Sequence, residues 1–351
     1  MSSSPNQAPQ SICLLRLSAL GDVSHMIPIV RTLQSKLPDC KITWVIGKLE
    51  TELVKNIDGI ELIIFDKSRG NKAYFDLYKT LRGRKFDVLL HMQVALRASI
   101  ASLAIRAKRR IGFDRTRARD LQWLFSNEQI AAVTGQHVLD GFFEFLKAIG
   151  IHQRHLEWKL PIDPAAIEYA KKILDGKRTL IINPSASAEA RNWSVEGYAA
   201  IADYAIEKHK LQVILTGGPA ANESELGEKI EQTVKHPIKN IIGQTSIQQI
   251  LAVLQQASVL IAPDTGPAHM ATAVGTPVIG LYAAMNPRRT GPYLNQQNII
   301  SVYEEALLEE YGKTVDQLAW GTRVHRAEAM SKISVTAVKA KLDTALSELK
   351  Y

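Results

Sequence analysis

A chain of 351 residues, 46% hydrophobic and 22% charged, has the composition of an ordinary globular protein with room for two cores. No apolar run approaches the roughly 20 residues of a membrane-spanning helix, and the two cysteines, Cys13 and Cys40, are expected as buried thiols, which argues against a disulfide framework or a cysteine metal site. A net charge of +8 and a pI near 9.3 favour an anionic partner.

Residues 1–11, MSSSPNQAPQS, are polar, lack the apolar core of a secretion signal and read as a disordered tail. The cytoplasm is therefore the expected compartment. Residues 12–17 predict a strand interrupted only by Arg16, 18–22 a turn, and 23–37 a helix with apolar residues at Ile27, Val30, Leu33 and Leu37. Pro28 is tolerated only near the start of such a helix, where its missing amide hydrogen costs least. Asp22 stands at the mouth of this turn, where the ordinary role of a carboxylate is to cap the helix. Strands at 42–46, 62–65, 88–90 and 111–114 then alternate with helices at 49–56, 73–81, 93–107 and 137–150, the last closed by its glycine. Between Arg106 and Arg119, the side chains of Arg106, Lys108, Arg109, Arg110, Arg115, Arg117 and Arg119 face Asp114 alone. This is either a solvated basic loop or an anion-binding surface. With no zinc-finger, basic-zipper or aromatic RNA-binding signature beside it, nucleic acid is not the expected partner.

Prolines at 161 and 164 mark a break, and 165–174 a connecting helix. A second alternation follows, with strands at 179–182, 212–215, 240–242, 259–262 and 278–281. Helices are expected at 194–209 (capped by Ser194), 223–234 and 246–257, and over the small residues after Pro267. The pattern predicts an α/β protein of two doubly wound Rossmann-like domains, residues 12–160 and 161–330, facing across a cleft, with 331–351 forming a C-terminal helix. No G-x-G-x-x-G follows the first strand, which argues against a nicotinamide dehydrogenase.

Ligands of open α/β sheets bind at the carboxyl ends of the strands, and four turns of the second domain lie there. Asn183-Pro184-Ser185-Ala186-Ser187 leads to Arg191; small hydroxyls and a guanidinium suit phosphate oxygens, although Ser and Pro in a loop need no function. Thr216-Gly217-Gly218-Pro219 precedes Glu223, whose carboxylate suits ribose hydroxyls or simply a helix's first turn. Gly243-Gln244-Thr245-Ser246 offers backbone groups to an adenine edge, with Ser246 also a helix cap. In the fourth, Asp264 and His269 share a compact turn feeding a helix N-terminus, where free amides and the helix dipole attract anions.

Two segments carry a resemblance to a known family. Residues 263–282, PDTGPAHMATAVGTPVIGLY, resemble the signature of the family 9 glycosyltransferases, the lipopolysaccharide heptosyltransferases, and residues 21–28, GDVSHMIP, resemble their N-terminal motif. The similarity runs along nearly the whole chain from Ile12, and is least specific in the middle of the first domain. It implies the GT-B fold, with an acceptor-binding first domain, a nucleotide-sugar-binding second domain and a C-terminal helix returning to the first. The implied reaction is inverting transfer of heptose from ADP-L-glycero-D-manno-heptose to Kdo of Kdo-lipid A in inner-core synthesis. The implied setting is the cytoplasmic face of the inner membrane, with no cofactor and no metal required for chemistry.

On the same resemblance Asp22 is the catalytic base. Ser185, Ser187 and Arg191 hold the diphosphate with the amides of Thr265 and Gly266. Asp264 and His269 contact the sugar–diphosphate, Glu223 the ribose, and Gln244, Thr245 and Ser246 the adenine. His25, Arg115, Arg117 and Arg119 contact the acceptor. The family pattern carries a lysine at the position aligned with Arg191, so a bidentate guanidinium here replaces a point charge. A free aspartate, with a pKa of about 3.9, is a weak base at neutral pH, so the role implies a raised pKa or late proton transfer. Residues 291–298, 301–303 and 320–325 look most like the heptosyltransferase I branch. The alternatives are a later-acting heptosyltransferase, another GT-B sugar-nucleotide enzyme such as an epimerase, and a non-enzymatic basic module that binds anionic lipid.

Overall fold

Apolar and β-branched runs form parallel strands in two units of the chain, one ending at Pro161 and the other beginning at Ile162. The structure is a computed structural model that describes residues 8–349. The expected disordered tail falls mostly outside those residues, and Ser11 already begins a strand. In the first unit the strands are β1 (Ser11–Leu15), β2 (Lys41–Gly47), β3 (Ile60–Phe65), β4 (Phe86–His91), β5 (Ala107–Gly112) and β6 (Glu128–Gln129), in spatial order 3-2-1-4-5-6. In the second they are β7 (Thr179–Ile182), β8 (Gln212–Leu215), β9 (Lys239–Asn240), β10 (Val259–Pro263), β11 (Val278–Tyr282) and β12 (Ile299–Ser301), in order 9-8-7-10-11-12.

Counted from its own first strand, each sheet has the same order, and the neighbours pair in parallel. The central strands are almost wholly apolar because helices cover both faces: Ile12 to Leu15 of β1 and Val259 to Ala262 of β10 are fully buried. Each sheet reverses its winding beside its first strand, between β1 and β4 and between β7 and β10. Such a reversal opens a crevice at the carboxyl edge. Both units are thus doubly wound, as the alternation predicts.

Three elements differ from the sequence reading, each for a physical reason. The first helix spans Leu20–Lys36, so Asp22 lies inside its first turn; Ala19 occupies the N-cap position, and no side chain caps it. Pro28 is consequently deep in the helix, where it cannot donate to the carbonyl of Ser24. The indole N–H of buried Trp158 donates to that carbonyl instead, at 3.0 Å. The helix expected over 93–107 is only Leu96–Ser102, and the chain is already in β5 at Ala107. Its charged residues are tolerated in a strand because each has a partner: Lys108 pairs with Asp87 at 2.7 Å, Arg109 with Glu128 at 2.7 Å, and Arg110 donates to the carbonyls of Ser102 and Phe125, both at 3.0 Å.

The third difference is the last helix, Val335–Ser347, which the resemblance sends back to the first domain. Its apolar face belongs to the core of the second unit: Val338, Leu342, Ala345 and Leu346 are buried in one cluster with Tyr198, Ile201 and Leu281. Asp343 fixes it there, accepting from Tyr204 at 2.9 Å, Lys208 at 2.8 Å and His209 at 2.7 Å. Cys13 is buried and Cys40 half-buried, and both are free thiols. No helix among the described residues is long and apolar enough to cross a membrane.

Candidate active site

At the carboxyl edge of the first sheet, the apolar run of β1 ends in Arg16. Its Nη1 donates to the Met92 carbonyl at 2.7 Å, its Nη2 pairs with the Asp22 carboxylate, and its guanidinium lies over the Phe142 ring at 5.3 Å. The Leu17 amide donates to Gln93 Oε1 at 2.7 Å, and Gln93 Nε2 donates to Ser18 Oγ at 3.2 Å. The residues after β1 and β4 are thereby stitched together at the winding reversal. The Asp22 side chain remains 32% exposed whereas that of Arg16 is 11% exposed, so the carboxylate is reachable and its partner is not. The N-terminal helix dipole favours the carboxylate in this first turn.

The residues expected to meet the acceptor are dispersed. His25 is buried, packed edge-on against His137 with ring centroids 5.2 Å apart. Arg117 is engaged internally, with Asp114, with Gln136 Oε1 at 3.2 Å and with the Ala131 carbonyl at 2.7 Å. Burial acts to raise the Asp114 pKa, but hydrogen bonds from Thr116 and Arg117 outweigh it and hold the carboxyl below its ordinary value. Arg115 lies over the Trp123 ring at 4.0 Å and is exposed, as is Arg119.

The second unit brings more of the expected residues together. Arg191, in the loop after β7, reaches Asp264 after β10: Nη1 donates to Oδ2 at 3.0 Å and to the Asp264 carbonyl at 3.2 Å, while Nη2 donates to Ser187 Oγ at 2.6 Å. His269 Nε2 lies 3.8 Å from Asp264 Oδ1, and the Tyr282 hydroxyl 3.4 Å from the same oxygen. Burial acts to raise the Asp264 pKa, but His269 and Arg191 overcome it and keep the carboxyl below its ordinary value. Burial, together with the Asp264 charge, pushes the Tyr282 phenol well above its usual range. Beside the pair, Ser185 is buried and the helix Gly266–Ala273 begins. At this edge Asn183 Oδ1, Thr216 Oγ1 and Thr265 Oγ1 are buried with no hydrogen-bond partner among the described residues.

Glu223 folds back over the glycine turn, accepting from the Gly218 amide at 2.7 Å. A Cβ on Gly217 or Gly218 would come within 2.8 or 2.9 Å of its carboxylate, which explains two glycines in succession. Ser246 forms a reciprocal capping box with Gln249, so its hydroxyl and amide are both in use. Gln244 is exposed, with its Nε2 on the Asn240 carbonyl at 3.1 Å, and Thr245 is half-buried.

Sequence reasoning missed Arg16, Gln93 and Tyr282. A charge ending a strand of buried apolar residues was the available signal for Arg16. Gln93 was hidden inside an expected helix, and nothing in the apolar run of β11 distinguishes Tyr282. No group of three or more His, Cys, Asp or Glu side chains suited to a metal occurs among the described residues.

Doubly wound parallel sheets of one order in both units, shared with the solved structures named below, place the chain in the GT-B class of two-domain α/β proteins. The model of glycosyltransferase family 9 (heptosyltransferase) matches residues 74–318, and the chain belongs to that family. It is a glycosyltransferase, and the reading as a non-enzymatic lipid-binding module falls away. It is 42% identical over 333 residues to the lipopolysaccharide core heptosyltransferase OpsX of Haemophilus influenzae, covering 95% of this chain and 96% of that one. Lipopolysaccharide heptosyltransferase 1 of Escherichia coli K12 is 21% identical over 329 residues, covering 85% and 98%. Among solved structures, a family 9 glycosyl transferase from Veillonella parvula aligns with a TM-score of 0.82 at 20% identity, covering 99% of this chain and all of that one. The E. coli heptosyltransferase WaaC with ADP aligns at 0.72 and 19% identity, covering 95% and 99%. At such identities the likeness establishes the fold.

Proposed function

We propose that this glycosyltransferase moves a heptosyl group, with inversion, from ADP-L-glycero-D-manno-heptose to Kdo of Kdo-lipid A at the cytoplasmic face of the inner membrane. The observation that carries the donor half is the edge of the second sheet, where Arg191, the start of a helix and three buried, unpaired oxygens converge. WaaC, solved with ADP, has the same fold, and OpsX, named for lipopolysaccharide core heptosyl transfer, is similar over nearly the full length.

In this reading Arg191, Ser187 and the amides of Thr265 and Gly266 receive the diphosphate, Glu223 the ribose, and the 244–246 turn the adenine. Asp264 and His269 position the sugar–diphosphate. As the bond to the leaving ADP breaks, negative charge gathers on the diphosphate. A preorganised guanidinium and helix-terminal amides stabilise that charge more in the transition state than in the ground state, so the chemistry does not call for a divalent cation. Asp22, oriented by Arg16, accepts the proton of the attacking hydroxyl. Proton transfer late in the reaction lets a carboxylate serve, because the hydroxyl becomes acidic as its oxygen bonds to carbon. Arg115 and Arg119, both exposed, are the side chains of the basic stretch assigned to an anionic acceptor.

A later-acting heptosyltransferase is the second reading. It is favoured by one observation: identity to E. coli heptosyltransferase 1, 21%, is no higher than the 24% to E. coli heptosyltransferase 3. ADP release from ADP-heptose separates the two. Release that depends on Kdo-lipid A and yields a heptosylated product supports the first; release only with an acceptor that already carries heptose supports the second. Donor binding without release on either acceptor overturns both.

A further inference from the structure

We infer that one outer helical face of the first unit is a docking surface for the headgroup region of an anionic bilayer. This rests on the reading above that the acceptor is a membrane lipid. Helices Asn71–Leu81 and Leu96–Ser102 pack on the same face of the first sheet, their inner residues Ala73, Leu77, Leu81, Ala98 and Ala101 sharing one buried cluster. The outer surface of the second is apolar where a water-facing helix is ordinarily polar, and that of the first sets two aromatic rings among Asn71, Lys72, Lys79 and Thr80. On the first, Phe75 is 67% exposed and Tyr78 is exposed; on the second, Leu96, Ile100 and Leu103 recur at one-turn spacing, with Leu103 66% exposed.

A third strip adjoins the second helix. The Leu96 amide donates to Asp120 Oδ2 at 3.1 Å, and the Arg110 guanidinium bridges the carbonyls of Ser102 and Phe125. Segment 120–125 therefore runs beside the helix and adds Leu121 and Leu124, both exposed. Exposed apolar side chains gathered on neighbouring elements of one face mark an interaction surface.

Charge identifies the occupant. Lys72, Lys79 and Arg82 share a stripe with Phe75 and are exposed, and Arg106 follows Leu103 closely. The one carboxylate of the first helix, Asp76, is paired with Arg69 at 2.6 Å, and no acidic residue occurs between Leu96 and Arg110. Aromatic and aliphatic side chains rimmed by lysine and arginine are the composition of an interfacial helix, which sets its apolar face at the acyl boundary and its cations among anionic headgroups.

The test uses the full-length protein and sedimentation with vesicles of phosphatidylcholine, alone or with about one-third phosphatidylglycerol. The parent should bind the anionic vesicles preferentially. Phe75→Ser with Leu103→Ser should weaken that binding at least about tenfold, and Lys72→Glu with Arg106→Glu should remove the preference for phosphatidylglycerol. All four side chains are exposed, so thermal unfolding should be unchanged, as should ADP release with a lipid-free Kdo acceptor. A parent that ignores anionic vesicles, variants that bind like the parent, or a parent dimer that the serine variant splits would each overturn the inference. Failure of lipid-free transfer in the parent would instead count against the enzymatic reading, leaving vesicle binding to be judged on its own.

Discussion

Arg16 and Asp22 are six positions apart and lie on opposite sides of a strand-to-helix turn, which is why no spacing rule links them. The pair sets what a substitution does. Asp22→Asn retains the shape and a hydrogen bond to Arg16 but cannot accept a proton. It should lower kcat by about 10²- to 10⁴-fold, while ADP affinity measured by calorimetry stays within about twofold of the parent. Turnover at the parental rate would remove Asp22 from the chemistry. Asp264 gives a second prediction, in pH. Its carboxyl titrates below the ordinary value when folded, so its stabilising contribution is complete above about pH 4 and is lost as the pH falls through the lowered pKa. Asp264→Asn should destabilise the protein at pH 7 by about 3 kcal/mol or more, since it leaves a largely buried guanidinium without its counter-charge. Calorimetric scans should show the gap from the parent closing as the pH is lowered; a constant gap would contradict the assignment. Of the candidate residues, Asp264, Arg191 and Glu223 lie beyond the carboxyl ends of β10, β7 and β8 as the sequence places them, because each follows a strand that reads clearly. The sequence offered Ser246 as a helix cap, which the capping box with Gln249 matches, but could not show that Arg117 is committed to Asp114, Gln136 and the Ala131 carbonyl.

At the scale of elements, legibility followed the strength of the local pattern. Strands β7 and β8 have the bounds expected, because each is a short apolar run closed by turn residues. The helix over 93–107 was overextended because its alanines and serines carry little periodicity. β5 spans Ala107–Gly112 against an expected 111–114, because Lys108, Arg109 and Arg110 do not read as strand until their partners are seen. The two-residue strand β6 is too brief to leave a pattern, and β9, Lys239–Asn240, overlaps the expected 240–242 by one residue. The first helix shows one element depending on a distant residue. Trp158→Phe removes the donor that satisfies the Ser24 carbonyl and should cost about 1–3 kcal/mol in urea unfolding. In a Pro28→Ala background the backbone itself can supply the donor, so the penalty should shrink; an equal penalty would assign the effect of Trp158 to packing alone.

For the whole molecule, the same strand order occurs in both units, and the last helix completes the second. Leu342 is fully buried in that core. Leu342→Ala should destabilise by about 2–5 kcal/mol, seen as a lowered thermal transition, although it lies in the final ten residues of the sequence. A substitution without effect would mean that the terminal helix is dispensable to the fold. The excess positive charge is divided in use. Lys108, Arg109 and Arg110 stabilise a strand, while Lys72, Lys79, Arg82 and Arg106 remain on the surface.

On the donor reading proposed above, the arrangement around Arg191 also bears on which anions it favours. Its guanidinium already has a tethered occupant, because Asp264 is held beside it by the fold and competes at high effective concentration. A small inorganic anion that takes the place of that carboxylate offers a single point of contact and gains little by doing so. A diphosphate offers several oxygens at once and can take the place of the tethered group while also engaging Ser187 and the helix amides. On that reading, the resident carboxylate is a placeholder at the position that a larger, multidentate anion claims.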